Sequence, residues 1–284
     1  MKRLNFRDSR VVFATNHGKA AAARSPFERV LNASVDEAVI DSDSLGTFSG
    51  EIARPGSMLD ALRGKVMLAR AITPERFVLV SEGSFGSAAG LGLLTQGIEM
   101  LLLHDSVSGA EVLEQHIARD TNFATAVLRE HDDLPRFLSR IRFGSHALVL
   151  YPGGLPTVEH VHKGLVDAAQ AKRAYEECKR LSPSQTVMAM SDMRAHVNPT
   201  RMKEIEACCE LLAARLATLC PACGSGGFGL VATVPGLPCD VCGAPTQRAR
   251  AEKHACVLCG KNVERPRADG RKAADPSECQ WCNP

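Results

Sequence analysis

Eight of the chain's eleven cysteines fall into four Cys-x-x-Cys pairs, Cys220/Cys223, Cys239/Cys242, Cys256/Cys259 and Cys279/Cys282, all near the C-terminal end. Two intervening residues let both thiolates of a pair face one metal ion, and two pairs complete a tetrahedral site. Gly224, Gly243 and Gly260 follow three of the pairs. Glycine suits the tight turn that brings backbone N–H groups toward the sulfurs. Four thiolates leave no coordination position for water, so the pattern predicts structural zinc at two sites. So little apolar sequence accompanies the pairs that this tail is expected to be unfolded without metal. Sequential pairing, Cys220 and Cys223 with Cys239 and Cys242, then Cys256 and Cys259 with Cys279 and Cys282, predicts two stacked zinc ribbons. A crossed or nested arrangement is stereochemically allowed.

The net charge of +2 makes the whole chain no polyelectrolyte, so any nucleic-acid argument rests on local charge. Between Gly243 and Lys272 lie Arg248, Arg250, Lys253, Lys261, Arg265, Arg267, Arg271 and Lys272, opposed within that stretch by Glu252, Glu264 and Asp269. A basic zinc ribbon can bind nucleic-acid phosphates, but Phe228 and Trp281 are its only aromatics for base stacking. A solvated charged face or a docking surface for protein is the other expectation.

Residues 1–10 are charged and lack the apolar core of a signal peptide. The most apolar run, Leu91 to His104, is interrupted by Gln96 and Glu99, so no membrane span is expected. A cytoplasmic location follows as the expectation, and in that reducing compartment clustered cysteines argue for metal over disulfides. Cys178, Cys208 and Cys209 lack metal spacing and read as small packed residues.

Composition shifts at the first pair, which predicts a larger domain over 1–218 and a zinc domain over 219–284. In the larger part, apolar runs at Arg10–Thr15, Arg76–Ser81, Ile98–Leu103, His146–Tyr151 and Gln185–Met190 read as strands. The second is expected to end at a glycine loop, Glu82-Gly83-Ser84-Phe85-Gly86, and Ile98–Leu103 suits a helix equally. Helical spacing marks a segment from about Lys19, then Leu59–Ala71 behind Pro55 and Gly56, Leu165–Leu181, and Pro199 to Leu219. Strands alternating with helices predict an α/β fold, with a mixed or parallel sheet flanked by helices.

Polar residues recur just beyond strand ends, the edge where open α/β sheets bind ligands. Ala14-Thr15-Asn16-His17-Gly18-Lys19 can offer backbone N–H groups, a hydroxyl, an amide and an ammonium to phosphate oxygens, although an ordinary helix cap looks similar and His17 alone reads as a surface residue. Gly56-Ser57 opens a helix bearing Asp60, Arg63 and Lys65, with Ser57 suited to its N-cap. Glu82, at a buried strand's end, is placed to hold Mg²⁺ against a phosphate chain. Asp192, Arg194, His196, Asn198 and Arg201 form the densest polar cluster, at a strand-to-helix junction. Arginine forks match phosphate geometry there. Thr121-Asn122-Phe123 and Lys163-Gly164 suit either caps and turns or further contacts.

On these motifs, from the Ala14–Lys19 loop to the closing Cys279-Gln-Trp281-Cys282-Asn-Pro284, the chain resembles a bacterial family of unknown function with a double zinc ribbon. More distantly, its first third is similar to the inosine/xanthosine triphosphate pyrophosphatases. That resemblance implies phosphate contacts at Thr15, Asn16, Lys19 and Lys65, an acid at Asp60, and an Mg²⁺-binding carboxylate at Glu82. The first loop is one residue shorter than the pyrophosphatase pattern, Glu82-Gly83 replaces its usual Asp-Ser-Gly, and its Ser-His-Arg base-recognition motif is not visible.

The expectation is therefore an Mg²⁺-dependent phosphoanhydride hydrolase acting on a nucleotide or related phosphate. Glu82, Asp192 and Asp60 would be its catalytic carboxylates, and Thr15, Asn16, Lys19, Lys65, Arg194, Asn198 and Arg201 its phosphate contacts. The alternative is a non-catalytic nucleotide sensor, with the tail binding nucleic acid or protein.

Overall fold

The computed structural model describes residues 3–47, 49–54, 56–87, 95–118, 120–130, 133–154 and 156–284. Pro55 and the first four residues of the apolar run, 91–94, lie outside them. The chain forms two compact units: residues 8–213, and residues 214–284 together with 3–7. The expected boundary, 218/219, took no account of those N-terminal residues.

In the larger unit, β1 (Arg10–Ala14) buries Val11 through Ala14 without alternation, as a strand covered on both faces should. It pairs in parallel with β2 (Ser34–Ala38) and with β3 (Phe77–Ser87). From β3 the sheet turns antiparallel through β4 (Thr95–Asp105) and β5 (Glu111–Ala118), giving the order β2-β1-β3-β4-β5. Helices α1 (Ala20–Leu31) and α2 (Met58–Ile72) link the parallel strands. Leu62, Val66 and Ala69 of α2 pack on Val78, Val80 and Leu102 of the sheet.

A second, wholly antiparallel sheet of order β6-β9-β7-β8 comprises β6 (Thr125–Leu128), β7 (Leu148–Pro152), β8 (His162–Leu165) and β9 (Val187–Ser191). Helices α3 (Asp133–Arg140) and α4 (Ala168–Leu181) share its core, through Phe137, Tyr175 and Cys178. Helix α5 (Pro199–Ala217) starts at Pro199 as expected. Among the described residues there are thus five helices and a mixed α/β arrangement.

Two expectations are corrected. The Glu82–Gly86 stretch is strand, paired residue for residue with β4, because a long antiparallel partner satisfies a backbone that the glycines alone would leave as loop. Leu165 closes β8, and α4 begins three residues later, where Asp167 accepts from the Gln170 N–H as N-cap. The edge strand β2 went unread because Asp36 and Glu37 break its apolar pattern; such charges protect an open edge.

The smaller unit carries an antiparallel sheet of β10 (Gly229–Pro235), β11 (Ala249–Ala255) and β12 (Asn262–Pro266). Phe6 and Phe228 are buried in it, and the Gly226 N–H donates to the Leu4 carbonyl. The residues 3–7 are therefore stitched to this unit by backbone as well as by packing.

Candidate functional site

The smaller unit's eight cysteines converge as two groups of four. Cys220, Cys223, Cys256 and Cys259 make one, and Cys239, Cys242, Cys279 and Cys282 the other. Sulfur pairs across the knuckles stand 3.7 Å apart in the first and 3.7 and 3.9 Å in the second. Four thiolates about 2.3 Å from a central zinc would lie about 3.8 Å from one another, whereas a disulfide would need about 2.05 Å. Both groups therefore fit a zinc ion. The sequential pairing is corrected: the first knuckle joins the third and the second joins the fourth. Identical spacing in all four knuckles carries no information about partners. The interleaving follows from the β10–β11–β12 meander, which folds Cys256 back onto Cys220 around Phe228.

Three of the four knuckles turn as their glycines allow, while Asn283 takes that place in the fourth. Gly224, Gly243 and Gly260 have φ near +70°, where a side chain would be strained, and their N–H groups donate to the carbonyls of Cys220, Cys239 and Cys256. The tail's basic residues are largely spent internally. Arg248 and Arg271 pair with Glu278, Arg250 with Glu264, and Arg267 with Asp269. Arg265 lies over the Phe228 ring.

The larger unit holds a polar cleft, enclosing about 70 Å³ within a wider open mouth. Both sheets contribute to it. Six cations line it, Lys19, Arg54, Lys65, Lys163, Arg194 and Arg201, against three carboxylates, Asp43, Glu82 and Asp192.

Lys19, at the start of α1, is 5% exposed. Its ammonium donates to the Ser81 hydroxyl at 2.9 Å, and no carboxylate pairs with it among the described residues. Burial, followed by the charges of Arg201 and Lys65, lowers its pKa to about 7. Lys65, on α2, reaches the Ser81 carbonyl at 2.8 Å and pairs with Glu82. Arg54 takes the other Glu82 oxygen at 2.6 Å. Burial pushes the Glu82 carboxyl up, but Lys65 and Arg54 outweigh it and hold the pKa below its usual value.

Arg194 folds back on Asp192 at 2.6 Å. Asp192 also accepts from the Gly164 N–H at 3.0 Å, which ties the end of β9 to β8 beside Lys163. Arg201, in the first turn of α5, grips buried Glu99 of β4 at 2.7 Å and stacks over Phe85. A methyl on Gly83 would land on the Arg201 guanidinium and 3.0 Å from Glu99, so glycine is what admits this pair beside β3. His17 lines the same cleft, stacked on His196 with centroids 5.0 Å apart.

Of the ten cleft residues expected from sequence, the fold gathers Lys19, Lys65, Glu82, Asp192, Arg194 and Arg201. Four stand elsewhere. Asp60 completes a capping box with Ser57 at the exposed start of α2. Thr15 is buried and accepts from the His17 N–H, shaping the loop from behind. Asn16 is exposed and outside the lining. Asn198 is fully buried, donating to Asn122 and the Asp192 carbonyl while accepting from the Arg201 N–H. It positions the cluster without lining the cleft.

Sequence reasoning passed over the 42–54 segment, which brings Ser42, Asp43, Thr47, Ser49 and Arg54 to the cleft. Its Gly46 (φ +116°) and Gly50 (φ +85°) marked only a loop. Among the described residues, no three His, Cys, Asp or Glu side chains outside the two cysteine groups converge as a metal cage. No helix among them is long and apolar enough to cross a membrane. A family model described as Domain of unknown function (DUF6671) matches residues 65–284, more than half of the chain. No curated protein and no solved structure matched it.

Proposed function

The chain belongs to the family described as Domain of unknown function (DUF6671), and from its cleft we propose that it binds the phosphate chain of a nucleotide or related small molecule and hydrolyses a phosphoanhydride bond. One observation carries this: a buried lysine, Lys19, has no carboxylate partner among the described residues, in a cleft lined by six cations and three carboxylates, where Glu51 and Glu99 hold Lys163 and Arg201 from behind the lining. An unpaired buried charge is costly, and a phosphate oxygen is the partner that would relieve it.

Glu82 and Asp192 are the residues that would hold Mg²⁺. Two carboxylates suit this ion, which keeps several waters and shares the phosphates of its ligand. Bound there, it would supply charge neutralisation at the phosphate oxygens. The protein's own part is an exchange of partners. Lys65, Arg54 and Arg194 rest on Glu82 and Asp192, so an entering phosphate can take over their hydrogen bonds. Lys19 and Lys65, fixed through Ser81, meet the charge that develops as the anhydride opens.

The test is a screen of nucleoside di- and triphosphates with Mg²⁺ and the zinc-loaded full chain, scoring pyrophosphate and orthophosphate separately. Turnover that falls at least about a hundredfold in Glu82→Gln is expected. A blank screen, or Glu82→Gln at the wild-type rate, overturns the proposal. The clamping of both Glu82 oxygens by cations favours one rival, a non-catalytic phosphate sensor. Tight binding without turnover in the same screen identifies it.

A further inference from the structure

Arg54 reaches the cleft with most of its donors uncommitted. Its side chain is 33% exposed, against 10% for Lys65 and 25% for Arg194. One nitrogen, Nη2, lies 2.6 Å from Glu82 Oε1 and donates to the Gly83 carbonyl at 3.1 Å. A guanidinium carries its N–H donors on three nitrogens. Among the described residues nothing takes those on Nε and Nη1, so one edge of the fork is unspent. The loop that carries Arg54 fixes where that edge stands. Gly46 has φ +116°, and a side chain there would meet the Arg54 Cα at 2.8 Å, so glycine lets the two ends of the loop close on each other. Inside it, the Thr47 N–H donates to the Ile52 carbonyl at 2.9 Å, and the Ile52 N–H to the Thr47 hydroxyl at 3.1 Å. Within the same turn Glu51, 4% exposed at its side chain, pairs with Lys163 of β8. A donor held in place this way needs no reorganisation when charge appears in front of it.

We propose that Arg54 is a catalytic residue of this cleft, whose unspent donors meet the charge that gathers on the departing phosphate as the anhydride opens. The inference rests on the phosphoanhydride reading above. In the step, the water oxygen bonds to phosphorus and its proton passes to solvent. The bridging P–O bond breaks, and its electron pair stays on the departing oxygen, where Arg54 meets it. Arg54 keeps its proton throughout, since a guanidinium is not deprotonated in proteins, and no electron is gained or lost. In the ground state the phosphate competes with Glu82 for the same guanidinium, so Arg54 adds little affinity. The gain comes in the transition state, where charge grows on the oxygens that it faces. Lysine is no substitute, because an ammonium does not span two oxygens as the planar fork does.

The experiment takes the zinc-loaded full chain with Mg²⁺ and the nucleoside triphosphate that wild type turns over fastest, and compares wild type, Arg54→Ala and Arg54→Lys. Imidodiphosphate affinity and the thermal midpoint are measured on the same samples. The Arg54→Ala reaction is repeated with free guanidinium at a sub-denaturing concentration, and with ammonium as its control. Arg54→Ala should lower kcat by at least about 10²-fold, while imidodiphosphate affinity stays within about threefold of wild type. Arg54→Lys should recover little of that loss. Added guanidinium should raise the Arg54→Ala rate by about tenfold or more, and ammonium should leave it unchanged. A kcat within about threefold of wild type, or a loss that guanidinium does not rescue, overturns the role of Arg54 and leaves the hydrolase reading standing. If wild type turns over no phosphate compound, that reading fails and the role of Arg54 falls with it.

Discussion

The ammonium of Lys19 is buried beside two other cations and held by one neutral hydroxyl. Because its pKa is lowered from 10.5 to about 7, the unfolded chain binds more protons than the folded one between those values. Stability from this group therefore rises with pH across that window, and the cost of the buried charge is fully present below it. A bound anion reverses the balance by favouring the charged form. Pyrophosphate affinity should be greatest below pH 7 and weaken as pH climbs through it, which calorimetry from pH 6 to 8.5 would reveal. Lys19→Met should remove that pH dependence and weaken binding more than about tenfold. It should also raise the thermal midpoint of the unliganded chain by at least about 2 °C. A lower midpoint would show that Lys19 is not under strain. Lys19 was legible because its ligand chemistry follows a strand and opens a helix. Arg54 was not, because nothing near it in sequence says that its loop returns to Glu82.

At the scale of elements, α2 separates two roles that one sequence pattern blurs. An acid three residues after a serine serves equally as a capping partner or a metal ligand, and Asp60 makes the capping contacts, accepting from both the Ser57 N–H and hydroxyl. Asp60→Ala is expected to lower the thermal midpoint by weakening the start of α2 and to leave pyrophosphate affinity within twofold. A melt and a binding isotherm on the same sample decide it, and loss of affinity with an unchanged melt would return Asp60 to the ligand site. The β3–β4 hairpin shows the opposite kind of ambiguity. Gly83 and Gly86 looked like a loop, yet the pairing with β4 runs straight through them. The glycine at 83 is needed for space, since Arg201 and Glu99 occupy the volume its side chain would take. Local propensity and tertiary packing disagree there, and the packing belongs to the cleft.

For the molecule as a whole, the number of metal ligands was plain in the sequence and their partnership was not. The two schemes part company in a metal count. With Cys223 and Cys259 both changed to Ala, the interleaved arrangement leaves the second centre whole and one zinc per chain. Sequential pairing would leave neither centre with four ligands, so atomic absorption giving no zinc would reject the interleaving. The arrangement also bears on how the tail comes into being. Each centre's span encloses one knuckle of the other, so no cut through this segment yields two self-sufficient pieces. A lineage could therefore duplicate or discard such a module only in one piece.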